Sequence, residues 1–138
     1  MNIPNGIYSF EFSGVSEKHT LSFHLTGIGV ISIQNGILTG RQSSSIVGLQ
    51  NNGEYVSKIG NKEFDLVGEI SDHDFQYMSK ATIRFTEILT GNQILDGTFT
   101  LAKSGNDEYW IISTGATRVD RPEIEPNEVV SGRVVKIA

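Results

Sequence analysis

The sequence predicts an all-β protein: a small antiparallel up-and-down barrel of about 8 or 9 strands, with an extended tail strand after it. Three observations carry this. Apolar and polar residues alternate with a period of two through most of the chain. Turn signals built from Gly, Asn and Asp recur at short intervals. No stretch shows the periodicity of an amphipathic helix. The 138 residues suit one domain large enough to bury a core, and 15 glycines against 3 prolines suit tight turns better than disorder.

The first strand is expected over Gly6–Ser13, where Tyr8, Phe10 and Phe12 share one face against Ser9 and Glu11. Gly14–Thr20 reads as a polar turn. Leu21, Phe23 and Leu25 then alternate with Ser22, His24 and Thr26, leading into Gly27–Gly40. That stretch is two strand-forming runs bent around Asn35-Gly36, the pair favoured in type I′ hairpins because both central residues need positive φ. Gly40–Ser45 reads as a polar corner and Ile46–Leu49 as a short strand. Asn51-Asn52-Gly53 and Gly60-Asn61-Lys62 read as turns flanking Glu54–Ile59.

Further on, Phe64, Leu66, Gly68 and Ile70 share a face, and Ser71–Asp74 reads as a loop. Phe75–Leu89 places Ala81, Ile83, Phe85 and Glu87 at one parity. Ile94–Lys103 does the same with Leu95, Gly97, Phe99 and Leu101, and Tyr109–Thr114 follows the turn at Ser104–Asp107. The barrel domain is thus expected over residues 1–117. In residues 118–138 an acidic, proline-containing linker precedes the run Val129–Ile137. That run is one more strand, which closes the barrel, covers an edge or pairs with another subunit.

Composition narrows function. A net charge of −5 argues against a surface that tracks phosphates, which needs clustered Lys and Arg, so no direct nucleic-acid binding is expected. The absence of Cys excludes disulfides, thiolate metal sites and a Cys nucleophile. Met1–Gly6 has neither a basic nor an apolar leader region, and no apolar run approaches the roughly 20 residues of a membrane span. A soluble cytoplasmic protein without membrane association is expected.

Candidate sites are few. His19, His24 and His73 have no partners at metal-ligand spacing, so neither metal nor cofactor is expected. Ser43-Ser44-Ser45 lacks the strand–turn–helix setting of a nucleophile elbow. Glu87 has inward parity, and a buried carboxylate takes up a proton or finds a partner unless it reaches solvent at the barrel mouth. It is the only motive for a hydrolase reading. Tyr8, Phe10, Phe12, Phe64, Phe85, Glu87 and Phe99 are the residues that would line a small apolar ligand in the interior, with Gly68 and Gly97 leaving room or marking curvature. Ordinary core packing is the plainer use of the aromatic residues. Glu69, Asp72 and Asp74 form an acidic cluster at a turn, and Asp120, Glu123, Glu125 and Glu128 dot the tail; such clusters are usually solvated faces.

Asn5-Gly6-Ile7-Tyr8-Ser9-Phe10-Glu11-Phe12, then Gly27-x-Gly29-x-Ile31-x-Ile33-x-Asn35-Gly36-x-x-Thr39-Gly40, and Gly48 resemble the GrlR-like negative regulators of type III secretion. The resemblance implies a calycin or lipocalin-like barrel, often a homodimer, without catalysis, in a bacterial protein that binds a helix-turn-helix transcriptional activator. Motif detail runs over residues 5–60. The loop Gln50–Glu54 carries one carboxylate where the family's regulator has an acidic run, so Glu69, Asp72 and Asp74 become the candidates for partner binding. Asn35–Gly40 and Ser43–Gly48 also look like the early hairpin of avidins, but Trp110 is the only tryptophan and cannot build a biotin cage. The expected function is a non-enzymatic regulator acting by protein–protein contact; the alternative is a carrier of a small apolar ligand.

Overall fold

The computed structural model describes residues 2–18, 21–51, 59–72, 76–120 and 128–138, with side chains at 2–14, 26–45, 60–71, 76–120 and 130–138. The chain is all-β. Eight antiparallel strands, β1 (Gly6–Lys18), β2 (Leu21–Gln34), β3 (Ile37–Asn51), β4 (Ile59–Asp72), β5 (Met78–Glu87), β6 (Gln93–Gly105), β7 (Glu108–Arg118) and β8 (Glu128–Lys136), close into one barrel. Each strand pairs with its neighbours in the chain, and β8 returns to β1. Closure removes the exposed edges that would otherwise template association.

The β2–β3 hairpin turns at Asn35 and Gly36, with φ of 51° and 78°. Both lie in the left-handed region, as a type I′ turn requires. The Asn35 N–H donates to the Asn5 side-chain oxygen at 2.8 Å, tying the entry of β1 to this turn.

Alternation sets the core. Tyr8, Phe10, Ile31, Ile33, Leu38, Leu66, Ala81, Ile83, Phe85, Leu101, Tyr109 and Val134 point inward and form one buried cluster. The rings of Phe10 and Phe12 lie over Gly29 and Gly27, their cross-strand partners on β2. Gly97 leaves no void, because Phe85 and Phe99 occupy the space a side chain would take there. The core interior consequently has a gap of only about 30 Å³, room for one or two waters.

Several expected turns are strand. Gly14–Lys18 continues β1, Gly40–Ser45 runs inside β3, and Gly60–Lys62 lies inside β4. The physical reason is the length of β1–β4. They run on as a paired backbone ladder, in which Ser and Asn bond across strands as well as in turns. Ser45 Oγ donates to Asn61 Oδ1 at 2.9 Å in this way. Most of the expected strand Glu54–Ile59 lies outside the described residues; Ile59 begins β4.

The tail run belongs to the same barrel. β8 pairs with β1 from Ser16–Glu128 to Tyr8–Lys136, but with β7 only from Ile112–Ser131 to Glu108–Val135. At Thr114 a bulge interrupts the β6–β7 register. It adds one residue, so Ser113 and Ala116 share the inward face although their numbers differ by an odd step. Past the bulge β7 leaves β8. Among the described residues only the Val130 N–H bridges the gap, donating to Ser113 Oγ at 3.0 Å.

Candidate functional site

Two regions present chemistry: the barrel mouth above the core, and the outer face over β8, β1, β2, β3 and β4. The mouth is built by the inward residues that follow the last core layer. Phe64, Phe85 and Phe99 stand in a chain, with ring centroids 6.1 Å apart edge-to-face and then 6.2 Å apart. Phe12 closes the circle from β1. Gln42 and Ser44 of β3 add polar groups, and the Gln42 amide donates to Ser44 Oγ. Together they bound a cavity of about 200 Å³ that reaches Ser113, Ala116 and Arg118 on β7.

Glu87 is inward, as its parity predicts, and it does not reach bulk solvent freely. It is buried at the end of β5 and meets Lys62 Nζ at 3.1 Å. The partner that its burial demands is therefore the Lys62 ammonium, which extends from β4. Removing one member of such a pair strands the other, a larger penalty than losing the pair as a whole. Because Lys62 is half-exposed, Lys62→Met should cost about 1–2 kcal/mol rather than the full buried-pair penalty. Lys62→Met/Glu87→Leu should recover much of that loss, which a double-mutant cycle from urea melts would read. A loss in the double variant equal to the sum of the two single losses would show that the pair is not coupled.

Of the other interior residues named from sequence, Phe12, Phe64, Phe85 and Phe99 line the mouth, while Tyr8 and Phe10 are packed into the core. The acidic trio is less gathered. Glu69 is exposed on β4 opposite Thr82, Asp72 ends β4 opposite Ser79, and Asp74 lies outside the described residues. His19 and His73 also lie outside them. Among the described residues no group of three His, Cys, Asp or Glu is placed to hold a metal ion, and no helix is long and apolar enough to cross a membrane.

The outer face is assembled by the strand registers. Registers align Trp110, Arg133, Glu11, Ile28, Ser43 and Glu63 in one row across β7, β8, β1, β2, β3 and β4. The adjacent row is Val135, Ser9, Val30, Arg41 and Asp65. Between them lies a groove of about 620 Å³. Its floor is apolar and open, with Ile28 63% and Val30 49% exposed. Arg133 Nη2 donates to Glu108 Oε1 at 2.8 Å and stacks its guanidinium 5.5 Å over the Trp110 ring; Arg41 meets Asp65 at 3.2 Å. A signal was available in β2, where Ile28 and Val30 occupy one parity and Ile31 and Ile33 the other. A strand apolar on both faces is covered on both or offers one to a partner.

Arg84 clamps Asp96 through two bonds of 2.7 and 2.8 Å, and this hydrogen bonding holds the Asp96 carboxyl below the usual carboxylate range. No protein-family model matches the chain, and no curated protein matches it.

Proposed function

We propose that this barrel is a non-enzymatic bacterial regulatory protein that works by protein–protein contact, docking a basic partner on its outer face. The observation that carries the reading is the groove across β8–β4, where exposed Ile28 and Val30 lie among charges of both signs. An apolar centre with a charged rim is the anatomy of a specific protein interface. Around it Glu11, Glu63, Asp65 and Glu108 outnumber Arg41 and Arg133, and both arginines are already matched by carboxylates. The surplus is negative and favours a partner with Lys or Arg beside its apolar contacts. A helix-turn-helix activator, the partner implied by the GrlR-like resemblance, has that character. Sequestering it in the cytoplasm would block its DNA surface without enzyme chemistry. Glu87 has no separate part in this reading: it is tied to Lys62 at 3.1 Å.

Affinity capture from the source lysate tests it, with the wild type beside Val30→Asp and a triple charge reversal of Glu69, Asp72 and Asp74. The expected result is enrichment of a basic DNA-binding protein by wild type and at least a tenfold loss with Val30→Asp, the scale of about 1.4 kcal/mol at an interface centre. Equal capture by Val30→Asp would remove the groove from the proposal. Loss only with the charge reversal would move the contact to the β4–β5 end.

A further inference from the structure

We infer that the barrel mouth beside the β7–β8 gap is a separate small-molecule site, and that its ligand is a neutral aromatic compound of one or two rings bearing one hydrogen-bonding group. The site is distinct from the outer groove, being built by inward rather than outward residues. It is also not the axial interior, where the free space of about 30 Å³ admits no organic molecule.

Size sets the first limit. The mouth cavity measures about 200 Å³, and an engineered apolar cavity of about 150 Å³ in another protein holds benzene. One ring with a substituent, or a compact fused pair, fits that space; a long acyl chain does not. Shape agrees. Phe12, Phe64, Phe85 and Phe99 wall the cavity, and the Phe64–Phe85 and Phe85–Phe99 contacts are edge-to-face and tilted. Such rings offer both faces and edges to a planar guest.

Polarity sets the second limit. Gln42 is only 5% exposed, yet its side chain borders the cavity. Its amide nitrogen is engaged with Ser44 Oγ, which leaves its carbonyl oxygen, not fully enclosed, as the acceptor at the cavity wall. A ligand O–H or N–H would complete it. The rim is charge-matched: Lys62 lies 3.1 Å from Glu87, and Arg118 bonds Asp120 at 2.8 and 2.6 Å, so an anion meets cations already paired. An ionic ligand would have to displace one of these carboxylates or bring an unmatched charge out of water.

Phenol and indole, titrated into the full-length protein and followed by amide NMR, are the probes, with toluene and benzoate as comparators. Saturable shifts confined to Gly97, Ser113, Gly115 and Ala116 are expected. Phenol should bind about tenfold more tightly than toluene, the value of one satisfied buried hydrogen bond, and benzoate should bind more weakly than phenol. Ala116→Phe, which turns its ring to the inward face opposite Gly97, should weaken phenol binding about tenfold or more. Gln42→Leu keeps the volume and should erase the preference for phenol over toluene, so the inference survives a failure of either variant to fold. No saturable shifts up to millimolar probe, shifts centred on Ile28 and Val30 instead, or unaltered selectivity in Gln42→Leu would each overturn it.

Discussion

Gly132→Ala should unseat β8 and lower stability by about 3 kcal/mol or more, at the upper end for an overpacked core position. Gly132 lies on the inward side of β8 opposite Phe12. A β-carbon there would overlap the Glu11 carbonyl oxygen and come within 2.6 Å of Phe12 Cα. Both are main-chain atoms of β1, so no rotamer change relieves the overlap; the two strands must move apart. For a domain stable by about 5–15 kcal/mol this is a large share. Urea melts give the result as a fall in midpoint. Gly115→Ala is the control: its β-carbon meets nothing within 4 Å, and its cost should stay within the roughly 1 kcal/mol of a benign substitution. Equal midpoints for the two variants would contradict the close approach of β1 and β8.

Tyr8 should govern how the protein fails in alkali. Its side chain is fully buried, its hydroxyl donates to the Pro4 carbonyl at 2.6 Å, and its ring lies 6.3 Å from that of Tyr109. Burial pushes the hydroxyl up to about 12, with Tyr109 and then Asp107 adding their charges in the same direction. The folded value thus exceeds the ordinary value near 10, and unfolding releases the proton more readily. The stabilisation is therefore complete below about pH 10 and is lost as pH rises from there to about 12. Its size, at about 1.4 kcal/mol for each pH unit between the two values, is of the order of 2–3 kcal/mol. Tyr8→Phe should cost about 1 kcal/mol at neutral pH through the lost hydrogen bond, and it should flatten the alkaline decline. Tyr109, also raised by burial, supplies what slope remains. Guanidinium melts from pH 8 to 12 would show it; the same alkaline slope in both proteins would assign the decline elsewhere.

The barrel was legible because period-two alternation survives wherever one strand face is packed. Tyr8–Phe10–Phe12, Ala81–Ile83–Phe85 and Leu95–Gly97–Phe99 announce their inward faces directly, and Asn35-Gly36 announces its turn. The errors cluster at the mouth. Ser43–Ser45 and Gly60–Lys62 use turn-forming residues inside strands, because the backbone ladder runs on through them. For the same reason Gln42 and Ser44 were unreadable as site residues: a polar run looks alike whether it bends the chain or lines a cavity. The parity of Glu87 was readable, but its partner was not. Lys62 sits 25 positions earlier, and only the pairing of β4 with β5 brings them together. Arg118 was equally hidden, since the bulge at Thr114 reverses the parity that simple counting would assign.

The return of β8 to β1 also orders the way the protein can fold. Seven of the contacts between strands join chain neighbours and can form as successive hairpins. The eighth joins Tyr8 to Lys136 and must wait for both ends of the barrel. Pairing so remote in sequence carries the full entropy of closing the intervening chain and slows folding. Until that step β1 keeps a bare edge along Tyr8–Ser16, so the nascent protein spends its synthesis as an open sheet with an apolar face. Its most hazardous interval ends only when β8 has emerged and docked.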